Sequence, residues 1–529
     1  MSFSYRDRKQ ILQTCTDQTF DLVVIGGGIT GVGVAREASM RGLSVLLLEQ
    51  GDLAEGTSSR SSKLIHGGLR YLEQFQFGLV FESVSERRKL RRLAPHLVRP
   101  LAFLFPVYED SRHGLLAVSA AMWMYDALAC FRNEHLHKTL GVQGVLDREG
   151  GLRSEGLKGG VLYYDAMADD ARLVLETAIS AADHGASILT RARVHGFGEG
   201  ESERVDRVLF RDLDGGGDFE VRARMVVSAT GPWTDRVLGE LSGTESTLLR
   251  PTKGVHLVLS PGRLPLEHAV VVRTRDGRIV FVLPWKGQVA IGTTDTDFSE
   301  DPSAVGVDAA DIEYLLPAVN ACFPEAHLVP EDVVGHWAGV RPLLREEGVG
   351  ESEVSREHEI VFVKPNLVAV VGGKLTTYRL MSEEVLDEIL PSLSEVMDTS
   401  GFRKARSDQE VLPGAPDWEV GRERETAYHA QMVEEGLGDA TAVHLLEQYG
   451  VRAPSVLAVA REVGLERAFD PIVEGLLPIR AEIAYGVEEE MVLSAADLLD
   501  RRLSLRQRHL EGTLQVEEEV ECLVRELRS

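Results

Sequence analysis

The sequence predicts an α/β chain in three parts. These are a parallel, doubly wound sheet of nucleotide-binding type, a mainly antiparallel sheet inserted into it, and an α-helical domain at the C-terminal end. Three observations carry that prediction. Two short, wholly apolar runs, Leu22-Val23-Val24-Ile25 and Val45-Leu46-Leu47-Leu48, flank a helix-like stretch, the pattern of strands buried on both faces. Between residues 246 and 345, short alternating runs recur. After about residue 391, a loop rich in Pro, Gly and Asp (Leu412-Pro413-Gly414-Ala415-Pro416-Asp417) leads into long helical periodicities.

The first two strands and the helix between them read as one βαβ unit, and the right-handed crossover rule makes those strands parallel neighbours. Met225-Val226-Val227 and Leu367-Val368-Ala369-Val370-Val371 repeat the buried-strand signature. Each runs into a glycine-bearing turn, Ala229-Thr230-Gly231 and Gly372-Gly373 respectively. His256–Leu259, Ile279–Leu283 and Val289–Ile291 are the clearest strands of the inserted sheet.

Composition narrows the function. The chain has 529 residues, 44% hydrophobic and 26% charged, as expected of a multidomain globular enzyme. Its net charge of -26, half of it carried after residue 390, disfavours a nucleic-acid partner, because phosphate backbones reward clustered cations. Cys15, Cys130, Cys322 and Cys522 lie far apart with no metal-ligand spacing, so the expectation is reduced thiols, no bound metal and a cytoplasmic setting. The first nineteen residues lack the apolar core of a secretion signal.

Gly26-Gly27-Gly28-Ile29-Thr30-Gly31 fits GxGxxG between a strand and a helix. In that setting Gly26 permits the tight turn, Gly28 lets backbone approach a pyrophosphate, and Gly31 lets helix and strand pack closely. The helix start at Ile29 and Thr30 offers N–H groups to phosphate. Glu49, eighteen residues beyond Gly31, closes the second strand where a carboxylate can accept from ribose hydroxyls. These features make a Rossmann-type dinucleotide site without distinguishing FAD from NAD.

The next segment distinguishes them. Thr57-Ser58-Ser59-Arg60-Ser61-Ser62-Lys63-Leu64-Ile65-His66-Gly67-Gly68-Leu69-Arg70-Tyr71 offers many donors to a long polyanion. With the fingerprint, it resembles the FAD-dependent (aerobic type) glycerol-3-phosphate dehydrogenase family. Further blocks agree in order: Ala229–Trp233, Lys253–His256, Phe281–Trp285, Ile291–Asp295, Gly339–Leu343 and Gly372–Arg379, with Asp497–Arg502 in the tail. The resemblance spans nearly the whole chain after residue 20. It implies a fold of the glycine/D-amino-acid oxidase type, with an oxidoreductase region over 1–390 and a helical domain over 391–529. FAD-binding parts are expected at about 20–90, 155–245 and 346–390, and substrate-capping parts at about 91–154 and 246–345.

The activity implied is oxidation of sn-glycerol 3-phosphate to dihydroxyacetone phosphate, with hydride passing from C2 to flavin N5 and electrons on to a membrane quinone. By the same resemblance FAD is held by Gly26, Gly28, Ile29, Thr30, Gly31, Glu49, Thr57, Ser58, Ser62, Lys63, Leu64, His66, Ala229, Gly231, Gly373, Lys374, Leu375 and Thr376. Arg70, Tyr71, Thr293, Arg341, Arg356 and Lys374 line the substrate pocket. Those cations suit the ligand, since a phosphomonoester needs concentrated positive charge in so acidic a chain, and arginine forks match phosphate oxygens. Arg341 and Arg356 are the phosphate candidates. The segment after Arg356, Glu357-His358-Glu359, is more acidic than the family pattern. His66 is the candidate base, Arg341 the group that steadies a developing alkoxide, and Lys374 a positive charge beside the flavin.

Glu86-Arg87-Arg88-Lys89-Leu90-Arg91-Arg92-Leu93, with His96 and Arg99, is a dense basic run, and the apolar stretch Leu115–Phe131 follows it. Together they suggest peripheral seating on an anionic membrane at its cytoplasmic face. A homodimer is a further expectation. Two alternatives stay open at this stage: an oxygen-reducing oxidase on the same fold, and a non-catalytic flavoprotein.

Overall fold

The computed structural model describes residues 3–68, 71–72, 75–133, 135–200, 203–242, 247–345, 358–415 and 422–529. Two sheets organise the chain up to Ser394. In the first, Thr19–Ile25 lies at the centre, parallel to Val45–Leu48 on one side and Asp218–Ser228 on the other, so that Val24 sits between Leu47 and Val227. Ser187–Leu189 and Leu367–Gly372 extend it in parallel, and His358–Lys364 adds an antiparallel edge. The unbroken apolar runs of the central strands, Leu22–Ile25, Val45–Leu48 and Met225–Val227, follow from this placement. Leu22, Val24, Leu47 and Val227 face the helices Ile29–Arg41 and Asp170–Asp183, while Val23, Ile25, Leu46 and Val226 face the N-terminal helix Arg8–Asp17 and a hairpin.

Among the described residues the second sheet is antiparallel except for one short parallel pairing, Ala269 and Val270 against Phe103 and Leu104. Its spine is Leu249–Leu259, paired with Val333–Leu344 on one side and Gln288–Gly292 on the other. Leu157–Ala168, which the sequence reading assigned to an FAD-binding part starting at 155, belongs to this sheet. It pairs along its length with Val98–Tyr108. Across that pairing Phe103 stacks on Tyr163 with centroids 5.1 Å apart.

The C-terminal domain packs its helices around two cores of its own, and it docks on the first sheet's helices through buried ions. Arg172 donates to Glu490 at 2.6 Å, and Arg452 pairs with Glu176.

The basic run lies on the helix Phe77–Leu93 and differs from the expected open cationic face. Arg87 is buried against Asp165, Glu86 is buried against Arg379, Lys89 pairs with Glu86, and Arg99 pairs with Glu447. The charges at these positions knit the fold together. The following helix, Leu115–Leu128, turns Val118, Met122 and Tyr125 inward and leaves Leu116 88% and Trp123 55% exposed. Among the described residues, no helix is long and apolar enough to cross a membrane. Cys15 and Cys322 are buried, and burial pushes their thiols up to about 12 and about 11; Cys130 and Cys522 are exposed.

Candidate active site

A cavity of about 320 Å³ runs between the two sheets. At one end it is framed by the glycine turn. Gly26 has φ +109°, and a Cβ there would come 2.5 Å from the Ala229 carbonyl oxygen. A Cβ on Gly31 would lie 1.9 Å from the Gly26 oxygen, so the helix Ile29–Arg41 approaches the turn as closely as it does only because both are glycine. Gly28 caps that helix without a side-chain acceptor, and the Ile29 N–H donates to Ser58 Oγ at 2.9 Å.

Glu49 closes this end. Its carboxylate accepts from the Gly27 and Gly51 amides at 2.6 and 2.7 Å. Desolvation nevertheless pushes the carboxyl up to about 7, against the pull of those two N–H groups. Such a group gains from hydroxyl donors. Gln50, Arg193 and Val194 line the same end. None of the three stands out in the sequence: Gln50 lies just past the acid that ends the motif, and Arg193 and Val194 come from the strand Ala192–Glu199, which carries no motif.

Cationic and aromatic side chains crowd the other end. Arg341 Nη1 donates to Asp295 at 2.9 Å, and Nη2 donates to Thr293 Oγ1 at 2.9 Å and to the Thr294 carbonyl at 3.2 Å. The space for this guanidinium exists because residue 254 is glycine; a Cβ there would sit 2.3 Å from Nη2. Lys374 follows two successive left-handed residues, Gly372 (φ +78°) and Gly373 (φ +95°), and its ammonium lies 3.8 Å from the Tyr71 ring centroid. A 3₁₀ turn over Leu375–Thr377 follows, and a long helix starts at Tyr378. The Thr376 hydroxyl accepts from the His66 amide at 3.3 Å.

His256, at the end of the Lys253–His256 block, is a further wall residue. It stacks on Trp337 with centroids 4.7 Å apart, and its Nε2 meets Ser62 Oγ at 3.0 Å. Burial, reinforced by Arg341 and Lys63, holds it neutral.

Of the expected site residues, Gly26, Gly28, Ile29, Thr30, Glu49, Thr57, Ser58, Ser62, Leu64, His66, Tyr71, Ala229, Gly231, Arg341, Gly373, Lys374, Leu375 and Thr376 all line this one cavity. Gly31 lies behind the turn, and Thr293 is tied to the cavity through Arg341. Lys63 differs from its expected role. Its ammonium turns inward to Asp170 at 2.7 Å and the Ser59 carbonyl at 2.6 Å, because a buried carboxylate at residue 170 demands a counterion. Arg70 and Arg356 lie outside the described residues.

Known proteins resemble this chain over nearly its whole length. Residues 21–380 match the family of FAD dependent oxidoreductases, and residues 405–528 match the C-terminal domain of alpha-glycerophosphate oxidase. The aerobic glycerol-3-phosphate dehydrogenase of Staphylococcus saprophyticus is 35% identical over 98% of this chain and 93% of its own. The crystal structure of the glycerol-3-phosphate dehydrogenase from Bacillus halodurans, complexed with FAD, superposes with a TM-score of 0.81 at 30% identity. That match covers 99% of this chain and 94% of the other. Glycine oxidase from Geobacillus kaustophilus shares the fold alone, with a TM-score of 0.51 at 19% identity over 73% of this chain and 99% of its own.

Proposed function

Since the chain belongs to the aerobic glycerol-3-phosphate dehydrogenase family of FAD-dependent oxidoreductases, we propose how its cavity carries out that oxidation. The chain uses FAD to oxidise sn-glycerol 3-phosphate to dihydroxyacetone phosphate. The cavity fits this cofactor: glycines leave backbone bare where a pyrophosphate would lie, and the desolvated Glu49 carboxylate suits ribose hydroxyls. FAD, when bound, supplies the two-electron acceptor for the hydrogen at substrate C2.

The protein's own residues do the rest. Arg341 takes the phosphate or the developing alkoxide; Asp295 and Thr293 fix its fork so that little orientational entropy is lost on binding. Lys374 adds a second positive charge, steadied by the Tyr71 ring. His66, whose backbone is tied to Thr376, accepts the hydroxyl proton. Arg70 and Arg356 complete the cationic pocket in this reading. The observation that carries it is that Arg341, Lys374 and Tyr71 line the same cavity as the glycine turn and Glu49. Anaerobic titration with sn-glycerol 3-phosphate is expected to bleach the flavin absorbance stoichiometrically. Unchanged absorbance at saturating substrate refutes the assignment.

The acceptor in this reading is a membrane quinone, reached from a peripheral seat on an anionic membrane at the cytoplasmic face. In support, Phe75, Phe81, Leu116, Trp123 and Phe131 are exposed on or beside two helices that pack together. Those helices share a core with the cavity-lining Tyr71. Replacing Leu116 and Trp123 by Glu is expected to abolish co-sedimentation with anionic vesicles and slow quinone reduction, while dye reduction is kept. Peroxide formed in step with substrate would assign an oxidase instead. A homodimer completes the proposal, and light scattering tests it.

A further inference from the structure

We infer that the C-terminal helical domain is a clamp on the FAD-binding loop, acting through Asp52, Arg501, Arg502 and Gln507. The loop runs from Glu49 to Ser62 and supplies the cavity wall at Glu55, Thr57, Ser58 and Arg60. Its own bonds are short-range, such as the Asp52 amide to Glu55 Oε2 at 2.8 Å and the Arg60 amide to the Thr57 carbonyl at 3.0 Å. Ala54 is held at φ +63°, a region unfavourable for an alanine, and Asp52 is 1% exposed.

Every ion pair that the structure gives Asp52 comes from the C-terminal domain. Arg502 grips it with two bonds, Nη1 to Oδ2 at 2.7 Å and Nη2 to Oδ1 at 2.9 Å, and Arg501 Nε adds a third at 2.6 Å. Adjacent residues of an α-helix point about 100° apart. These two converge on one carboxylate from a π-helical turn, Asp497–Arg502, a rare element associated with functional positions. Asp497 braces Arg501 at 2.7 Å and also holds Arg191 at 2.5 Å.

The second grip is neutral. Gln507 Nε2 donates to the Ser59 carbonyl at 2.9 Å, beside the residues whose hydroxyls and amides face the cavity. The segment carrying Gln507 is in turn pressed against the second sheet: Gln288 Nε2 donates to the Arg508 carbonyl at 2.7 Å, and a Cβ on Gly335 would stand 2.3 Å from the Gln507 carbonyl oxygen. The clamp thus reaches the loop from a domain none of whose described residues lines the cavity. A buried carboxylate whose cations are withdrawn is driven towards water, and the loop would move with it. Asp52, Arg501, Arg502 and Gln507 are therefore positioning residues. They act on FAD retention and not on the chemical step.

The test uses the full-length holoenzyme and measures FAD release by the fluorescence of the freed flavin on dilution, for the parent, Asp52→Asn, Arg502→Lys and Gln507→Met. Both Asp52→Asn and Gln507→Met are expected to raise the FAD dissociation constant at least tenfold, with Arg502→Lys between them and the parent. With added FAD, kcat and the KM for sn-glycerol 3-phosphate should stay within twofold of the parent. Amide exchange over residues 55–62 should quicken in the same variants. FAD release within twofold of the parent in Gln507→Met, with unchanged exchange, overturns the clamp. A rise in substrate KM that matches the loss of FAD affinity also overturns it. Should Asp52→Asn not fold, Gln507→Met and Arg502→Lys decide. The inference rests on the FAD reading above, which would fail separately if the parent itself bound no flavin.

Discussion

The two ends of the cavity are built in opposite ways. At the Glu49 end, the wall is largely backbone from one stretch of chain, Ile25 to Ser58, and its shape depends on what is missing: no Cβ at Gly26, Gly28 or Gly31. At the other end the wall is side chains from distant segments, with Tyr71, His256, Arg341 and Lys374 meeting only because two sheets face each other. The contrast separates two kinds of specificity. The first end suits a pyrophosphate and a ribose, which call for close approach and amide donors. The second must hold a small dianion and move a proton, tasks that require charge.

If that division is right, damage at one end should leave the other working. The largest effect is expected at the side-chain end. Arg341→Ala strands Asp295 as well as removing the cation, and should lower kcat/KM by about a thousandfold, about 4 kcal/mol. The flavin absorption spectrum and FAD affinity should stay at parent values. Loss of FAD in that variant would erase the distinction. Next comes Gly31→Ala, which drives a methyl into the Gly26 carbonyl. At about 3 kcal/mol of overpacking, FAD affinity should fall about a hundredfold, measured by flavin fluorescence, with the substrate KM of the reloaded enzyme preserved.

The smallest effect concerns the support behind the Glu49 end. Arg502 and Arg501 overcome desolvation and bring the Asp52 carboxyl down from its ordinary 3.8 to about 2. A depressed carboxyl stabilises the fold above its unfolded value, and that contribution is lost as pH falls through the folded one. The parent should therefore lose about 2 kcal/mol between roughly pH 4 and pH 2 that Asp52→Asn never had. Acid denaturation curves that stay parallel across that window would remove Asp52 from the account.

The same division governs what could be read from the residues alone. The parallel strands, the glycine turn and Glu49 were legible because each is decided locally: an apolar run buried on both faces, a φ only glycine tolerates, an acid at a strand end. Lys63 was misread because its sequence neighbours are hydroxyls. Its partner, Asp170, lies over a hundred residues away at the start of a helix. The basic run was legible only in part, since Asp165 pairs with its Arg87 and Glu447 with Arg99 from elsewhere in the chain. His256 and Asp295 sat inside quoted blocks without a role. Nothing in their spacing reveals that one would stack on Trp337 and the other pin Arg341. Gly254 had a signal, a glycine within a strand pattern, which often marks a close approach.

The cysteines carry a practical consequence. Two thiols are sealed inside the protein and resist ionising, while Cys130 stands exposed just past the helix that bears Leu116 and Trp123, and Cys522 lies on the last helix. With Cys522 replaced by Ser, a maleimide dye should attach at a single point next to the apolar patch. Its emission colour would then register, in real time and without purifying a complex, whether that face has left water for a lipid phase.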